Sequence, residues 1–441
     1  MNRLLAYLKN HITGVSVSGT INASTDAVLH DPDAAPKSSR LVIGAAALWG
    51  AATWFPVGLA YLALLLTVAG LLLAPDRSAR WAQARTSGML LFPAFFIGWF
   101  LLSYLVGPRG ELAETMVFHT VRFVLTIALG LMLWPGEARA ALVGFAVLAG
   151  VMLLALLVEV TVGGVPRWPG LISVLAYEDN KSIRTGLLMV IVTGCGFASL
   201  LWFKQIGADM SASWWRLVLA VALMAFLAGL STVVFYLQSR TAMLVLPIVL
   251  MGVALHRYRS VRSWLLAVIV VLTLAVGAYL ASSSVSSRID EGVQTLLADA
   301  KSGTPTSSWG LRYHFYKFSL WQAAEHPLFG AGPGTWRAAW EAWLDVSPGT
   351  SSNNPHNDYL LFAAESGFPA MVLLFLAYFK FLSVSFRQRS VWGGLGLALA
   401  LVATLATVVN AGMRDAVFGL SLVWLMVVAN SAGPKGSHSH A

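Results

Sequence analysis

The chain carries little charge and almost no cysteine, and both shortages restrict what it can be. Of its 441 residues, 11% are charged and 57% are hydrophobic, whereas about 25% of the residues in an ordinary soluble domain are charged. The composition therefore excludes a soluble globular protein. The single cysteine, Cys195, lies in an apolar run, so the chain can form neither an internal disulfide nor a multi-cysteine zinc site.

Several familiar motifs are also missing. The first 40 residues lack the basic-then-apolar order of a cleaved secretory signal. The glycine-rich stretch "HPLFGAGPGTW" lacks the lysine and the preceding strand of a phosphate-binding P-loop. His314 and His326 lie in one polar segment, but no carboxylate is spaced to complete a metal site with them. We therefore expect no cofactor and no bound metal.

Long apolar runs dominate the rest of the sequence. A membrane-spanning helix needs about 20 mostly apolar residues, and the chain has room for about 12 such helices. We predict an all-α polytopic membrane protein. The runs are 41–74, which Pro56 divides into two short helices, then 88–106, 117–134, 138–162, 183–203, 214–234, 241–256, 263–281, 357–383, 391–411 and 414–430.

The distribution of basic residues predicts the topology. With the N-terminus in the cytoplasm, the basic clusters "HRYRSVRS" and "FRQRS" fall on the cytoplasmic side, as the positive-inside bias requires. We therefore predict a cytoplasmic N-terminal segment at 1–40, nine transmembrane helices within 41–281, a periplasmic loop at 282–356, three more helices within 357–430 and a disordered cytoplasmic tail at 431–441.

The periplasmic loop contains two patterns typical of amphipathic helices. The stretch "SSWGLRYHFYKFSLWQAAEHP" opens on serines that can cap a helix and closes before a proline. The stretch "TWRAAWEAWLDV" places Trp336, Trp340 and Trp343 on one helical face. Because tryptophan favours the headgroup layer, we expect both helices to lie on the outer leaflet, over a cavity between the spanning helices.

One histidine and two arginines are the principal candidates for chemistry. Each of them also has a simpler interpretation when it is considered alone. His356 follows "SSNNP" in a helix-capping turn and would have no role of its own, Arg240 would be an arginine at the membrane interface, and Arg312 would be a solvated charge on a helix. Taken together on the outer side, they suit a phosphate-activated substrate and a hydroxyl acceptor, since arginine binds phosphate and neutral histidine accepts a proton. Four weaker candidates are Arg122, Arg184, Asp415 and Tyr316. Glu159 is a candidate ion-pair partner of Arg122, and Tyr316 shares a helical face with Arg312.

Three motifs follow one another in the chain: "QSRTAML", "LRYHFYKFSLWQAAEHPLFGAGPGTW" and "PHNDYLLFAAESGFPAMVLLF". In this order they resemble the O-antigen ligase/polymerase superfamily of bacterial envelope glycosyltransferases, and its ligases most closely. The resemblance covers about 235–382. It implies a GT-C-like enzyme of the inner membrane that joins a glycan carried on undecaprenyl pyrophosphate to lipid A–core in the periplasm, with inversion and without metal. It also implies that Arg240 and Arg312 bind the pyrophosphate and that His356 activates the acceptor.

Other functions remain open on the sequence. An O-antigen polymerase or a protein O-oligosaccharyltransferase would share the histidine motif, although the extra terminal domain of the latter has no counterpart after Asn430. A secondary transporter would suit about 12 helices, but the sequence shows no paired broken helices in matching halves. A cell-wall glycosyltransferase of the shape-and-division type would carry an outer-loop carboxylate motif, which the sequence lacks.

Overall fold

The computed structural model describes residues 39–55, 57–162, 183–207, 211–237, 239–302, 307–344, 351–414 and 418–433. These residues are mostly helical and contain no strand, which confirms the all-α prediction. The helices are α1 (Arg40–Ala52), α2 (Val57–Leu73), α3 (Arg77–Thr86), α4 (Leu91–Val106), α5 (Ala113–Leu131), α6 (Pro135–Val162), α7 (Ile183–Leu201), α8 (Phe203–Gly207), α9 (Ala212–Ser231), α10 (Arg240–Arg257), α11 (Val261–Ala281), α12 (Ser283–Ser302), α13 (Ser308–Glu325), α14 (Trp336–Leu344), α15 (Asp358–Arg387), α16 (Val391–Val409) and α17 (Val423–Ala432), with π-helical turns at Thr232–Tyr236 and Phe418–Leu422.

Many of the helices are suited to crossing a membrane. In the described ranges, 8 helices are long and apolar enough, and the bent pair α2 and α3 would make a ninth span. Three further apolar helices, at 40–52, 91–106 and 419–432, are shorter. The chain is therefore a polytopic membrane protein, while the predicted count of about 12 spans is not confirmed. Most of the predicted tail at 431–441, from residue 434 onward, lies outside the described residues.

Helix α7 lies at the centre of the bundle and packs against α9, α10 and α16. Helix α15 packs against α4, α13 and α16 and so joins the outer segment to the bundle. By contrast, α11 is strongly apolar but has no buried residue. An apolar helix that is exposed all round suits a hydrocarbon environment, so this side of the bundle is a lipid-facing one.

Side-chain caps fix where several helices begin. A serine or asparagine side chain accepts a hydrogen bond from the backbone N–H three residues later, which satisfies one of the unpaired donors of the first helical turn. The predicted serine cap of α13 is confirmed, and an asparagine caps α15. The five caps are Ser239 on α10, Ser260 on α11, Ser307 on α13, Asn357 on α15 and Ser390 on α16.

The outer segment contains three helices rather than the two that the sequence predicts, because α12 precedes the expected pair. Its sequence, "SSVSSRIDEGVQTLLADAKS", is polar and amphipathic rather than membrane-like. Asp299 near its end accepts hydrogen bonds from the backbone N–H and the hydroxyl of Ser307, at 2.9 and 2.6 Å. This carboxylate therefore ties α12 to the start of α13.

The headgroup position expected for the tryptophans of α14 is wrong for two of the three. Trp336 and Trp340 are completely buried in protein, whereas Trp343 is 36% exposed. The two buried rings contact Phe315 and Phe318 of α13 at centroid distances of 4.8–5.8 Å. Because α13 offers an aromatic surface, the apolar face of α14 packs there, and edge-on ring contacts add to the burial.

Candidate functional site

His356 lies in the turn immediately before α15. Its backbone is in the left-handed region, with φ of 54°, which is uncommon for a residue other than glycine. The side chain of Asn354 holds this turn by accepting a hydrogen bond from the His356 N–H at 2.8 Å. Asn357 then caps α15 by accepting from the N–H of Leu360 at 3.0 Å. The turn is thus fixed on both sides of the histidine.

Asn410 orients the His356 ring. Nδ1 lies 3.3 Å from the Asn410 Oδ1, and because an amide oxygen only accepts, Nδ1 carries the hydrogen. Nε2 is then the ring's proton acceptor, and no hydrogen-bond partner for it occurs in the described part of the chain. Burial lowers the pKa of His356, the positive charge of Arg312 lowers it further, and the bond to Asn410 opposes both. The ring is therefore neutral at pH 7.

Arg312 and Tyr316 lie one turn apart on α13, facing the histidine turn. The Tyr316 hydroxyl lies 3.1 Å from the carbonyl of Val408 and 3.4 Å from that of His356. The Arg312 guanidinium has no hydrogen-bond or ion-pair partner among the described residues. Burial lowers the pKa of Arg312, nearby Tyr316 opposes this shift, and the charge of Arg240 adds to it. The site therefore holds a half-buried positive charge that is not paired with an acidic side chain of the described ranges.

Arg240 begins α10 and contacts the first turn of α13. Its guanidinium donates to the hydroxyl of Ser308 at 3.1 Å, lies over the ring of Trp309 at 5.6 Å and forms an ion pair with Glu291 at 2.8 Å. Ser308 is four residues before Arg312 on the same helix. The first turns of α13 thus bring Arg240 and Arg312 together, and Arg312 is close enough to His356 to affect its pKa.

Two weaker candidates have structural contacts. Arg122 of α5 donates to the carbonyl of Met413 at 2.5 Å and to the hydroxyl of Tyr61 at 2.7 Å. Arg184 of α7 donates to the carbonyls of Thr53 and Phe55 at 2.8 and 2.5 Å, and so stabilises the turn after α1. Asp415 and the side chain of Glu159, the candidate partner of Arg122, lie outside the described residues.

Residues 410–414 also belong to the site, although none of them is among the candidates predicted from sequence. Asn410 orients the His356 ring. Asp358, the first residue of α15, accepts a hydrogen bond from the N–H of Met413 at 2.8 Å, and Arg414 donates to the carbonyl of Asn353. The turn after α16 is thus joined to the histidine turn on both sides. The one sequence signal was the polar stretch "NAGMRD" that follows an apolar run.

The glycine-rich stretch "HPLFGAGPGTW" joins the outer helices to α15. Gly330, Gly332 and Gly334 all have positive φ, a conformation that glycine adopts without penalty. The N–H groups of Ala331 and Gly332 donate to the carbonyls of Ala364 and Glu365 at 2.8 and 3.1 Å, beside a kink in α15 at Gly367. This stretch therefore fixes α15 relative to α13, the helices that carry the histidine turn and Arg312.

Glu365 adds a side-chain contact to the same junction. It is 1% exposed, and its Oε1 accepts a hydrogen bond from the N–H of Trp336 at 3.2 Å. The indole of Trp336 in turn donates to the hydroxyl of Ser319 at 2.8 Å. One chain of bonds thus runs from α15 through the start of α14 to α13, and it is buried throughout.

Residues 225–375 match the family model described as O-antigen ligase. This segment of the chain is therefore similar to the O-antigen ligase family. The match covers about a third of the chain, and it includes Arg240, Arg312, Tyr316 and His356. Asn410, which orients the histidine of the O-antigen ligase domain, lies beyond the matched residues. None of the curated proteins matches the chain.

The chemistry available at this site follows from its side chains. A neutral histidine with an open Nε2 can accept a proton from a hydroxyl. Two arginines beside it can bind an anion, and phosphate oxygens pair with guanidinium groups through two parallel hydrogen bonds. In the described ranges, no three His, Cys, Asp or Glu residues are grouped to hold a metal ion. The arrangement suits transfer from a phosphate-bearing donor to a hydroxyl acceptor.

Proposed function

We propose that the protein transfers a glycan from undecaprenyl pyrophosphate to lipid A–core at the periplasmic face of the inner membrane. The proposal is carried by two neighbouring groups, Nε2 of His356 and the guanidinium of Arg312, neither of which has a hydrogen-bond partner among the described residues. A base next to a half-buried positive charge is what a hydroxyl attack on a phosphate-activated sugar requires. The match to the O-antigen ligase family model supports a lipid-linked glycan as substrate.

The reaction is a single displacement. The acceptor sugar hydroxyl gives its proton to Nε2 of His356 as its oxygen attacks the anomeric carbon of the donor. The bond from that carbon to the pyrophosphate breaks on the opposite face, so the product has inverted stereochemistry. Arg240 and Arg312 stabilise the charge that grows on the departing pyrophosphate. His356 then releases its proton to water.

The two carboxylates of a glycosidase are unnecessary in this scheme. A glycosidase must protonate a poor leaving group and needs an acid for that purpose, whereas pyrophosphate leaves as an anion and needs positive charge instead. The half-buried Arg312 supplies that charge in surroundings where water screens it less than at an open surface. In the proposed membrane topology, both termini of the chain are cytoplasmic. The prenyl tail of the donor lies in the bilayer beside the apolar helices.

The test uses purified full-length protein, undecaprenyl-pyrophosphate-linked glycan and lipid A–core in mixed micelles. Glycan attached to lipid A–core is the expected product. Longer glycan that remains on the carrier would instead identify a polymerase, and glycan transferred to a protein would identify an oligosaccharyltransferase. Uptake of substrate by sealed proteoliposomes, with no glycan transfer, would favour a transporter and contradict the proposal.

A further inference from the structure

A carboxylate of α12 lies between two arginines at the edge of the site. The Oε2 atom of Glu291 is 2.8 Å from an Nη of Arg240 and 3.3 Å from an Nη of Arg288. The next residue, Gly292, packs closely against Trp309, the ring beneath the Arg240 guanidinium. One oxygen therefore bridges guanidinium groups from two helices, as an oxygen of a bound phosphate would.

Helix α12 is held in place at two points. In its first half, Asp290 accepts a hydrogen bond from the hydroxyl of Tyr279 on α11 at 2.8 Å. At its end, Asp299 holds the cap of α13 through Ser307. The two arginine side chains are 21% and 20% exposed, while that of Glu291 is 55% exposed. The arginines are thus held against the protein, and the carboxylate is free to turn towards solvent.

We propose that Arg288 is a third anion-binding residue and that Glu291 occupies the position of a donor phosphate oxygen until the donor binds. This inference rests on the proposed function. An exposed ion pair contributes little net stability, so exchange of Glu291 for a phosphate costs little. A bound phosphate carries more negative charge than one carboxylate. It can also pair with Arg312, which lies near Arg240. Glu291 therefore weakens donor binding by competition, and Arg288 strengthens it.

Binding of inorganic pyrophosphate to the purified full-length protein tests this directly, by calorimetry at low ionic strength, where charge effects are least screened. Glu291→Gln keeps the shape of the side chain and removes its charge. It should bind pyrophosphate roughly two- to fivefold more tightly, and Arg288→Gln should bind it more weakly by a similar factor. The matched control is Glu341→Gln, since Glu341 forms a comparable exposed ion pair with Arg337 at 3.1 Å, and it should bind like the wild type.

Unchanged or weaker binding by Glu291→Gln, or unchanged binding by Arg288→Gln, would overturn the inference. Arg240→Gln and Arg312→Gln separate this failure from failure of the proposed function. If both of these variants lose affinity while the α12 variants behave as wild type, the anion site exists and only the role of α12 is wrong. If the wild type binds no pyrophosphate, or if all variants bind it equally, the proposed function fails as well.

Discussion

The residues around His356 favour the proton-accepting role that we propose for it. Asn354 fixes the backbone turn, Asn410 orients the ring, and Arg312 discourages its protonation. A positive φ at a residue other than glycine persists only where the surroundings hold it. The capping turn and the proposed catalytic role are thus compatible, because the cap of α15 at Asn357 places the preceding histidine beside the arginine.

The pH dependence of transfer should report the environment of His356. The neutral ring is the proposed proton acceptor, so the rate should follow the deprotonated fraction. Burial and the charge of Arg312 hold the pKa of His356 below its ordinary value of 6.5. The acid limb of the activity profile should therefore have its midpoint below pH 6.5, and activity should fall as the pH drops through that midpoint. An acid limb of the kcat/KM profile with its midpoint at or above 6.5 would contradict this assignment.

Arg312→Lys should lose most of the transfer activity even though it keeps the charge. Lysine is a compact point charge, whereas the planar guanidinium binds two phosphate oxygens at once. We expect a loss of about tenfold or more in kcat/KM for the lipid-linked donor, since a bidentate charged hydrogen bond contributes on the order of 1.5–3 kcal/mol. The matched control is Arg337→Lys on α14, which should remain active. Wild-type activity of Arg312→Lys would show that Arg312 provides only a positive charge and does not bind two phosphate oxygens at once.

Among the elements, the glycine-rich stretch "HPLFGAGPGTW" fixes α15 relative to α13, and the geometry of the site depends on it. A Cβ at Gly332 would lie 2.0 Å from the carbonyl oxygen of Pro108, and its φ is +106°. Gly332→Ala should therefore lower the free energy of unfolding by about 1–3 kcal/mol. The thermal midpoint of the purified protein should fall, and transfer activity should fall with it.

The matched control for this change is Gly277→Ala in α11. A Cβ at Gly277 meets nothing within 4 Å, and alanine has a higher helix propensity than glycine. Its thermal midpoint should therefore be unchanged or slightly raised. If Gly332→Ala and Gly277→Ala had the same thermal midpoint, the stretch between α13 and α14 would be a linker that does not stabilise the fold.

The elements show which parts of the fold can be predicted from sequence. Apolar length alone predicts most spans, and serine or asparagine caps predict where α13 and α15 begin, because both signals are local. The burial of Trp336 and Trp340 could not be predicted in this way. A tryptophan face suits lipid headgroups and an aromatic protein surface equally well, and the choice depends on where Phe315 and Phe318 lie after folding.

For the whole molecule, the site is assembled from distant parts of the chain. Arg240, Arg312 and His356 stand in motifs that can be recognised in the sequence. Asn410 and Glu291 stand in no motif, and only the packing of α16 and α12 brings them to the histidine and to Arg240. Sequence therefore predicts the residues proposed to react, while those that orient or compete with them become visible only in three dimensions.

The central claim, that His356 takes the proton of the acceptor hydroxyl, is tested most directly by His356→Gln in the transfer assay with lipid-linked glycan and lipid A–core. Glutamine retains polarity but cannot act as a base, so we expect a rate loss of about 10²–10⁴-fold with pyrophosphate binding preserved. His326→Gln, at an exposed histidine in the same outer segment, should transfer glycan normally. Transfer by His356→Gln at the wild-type rate would contradict the account.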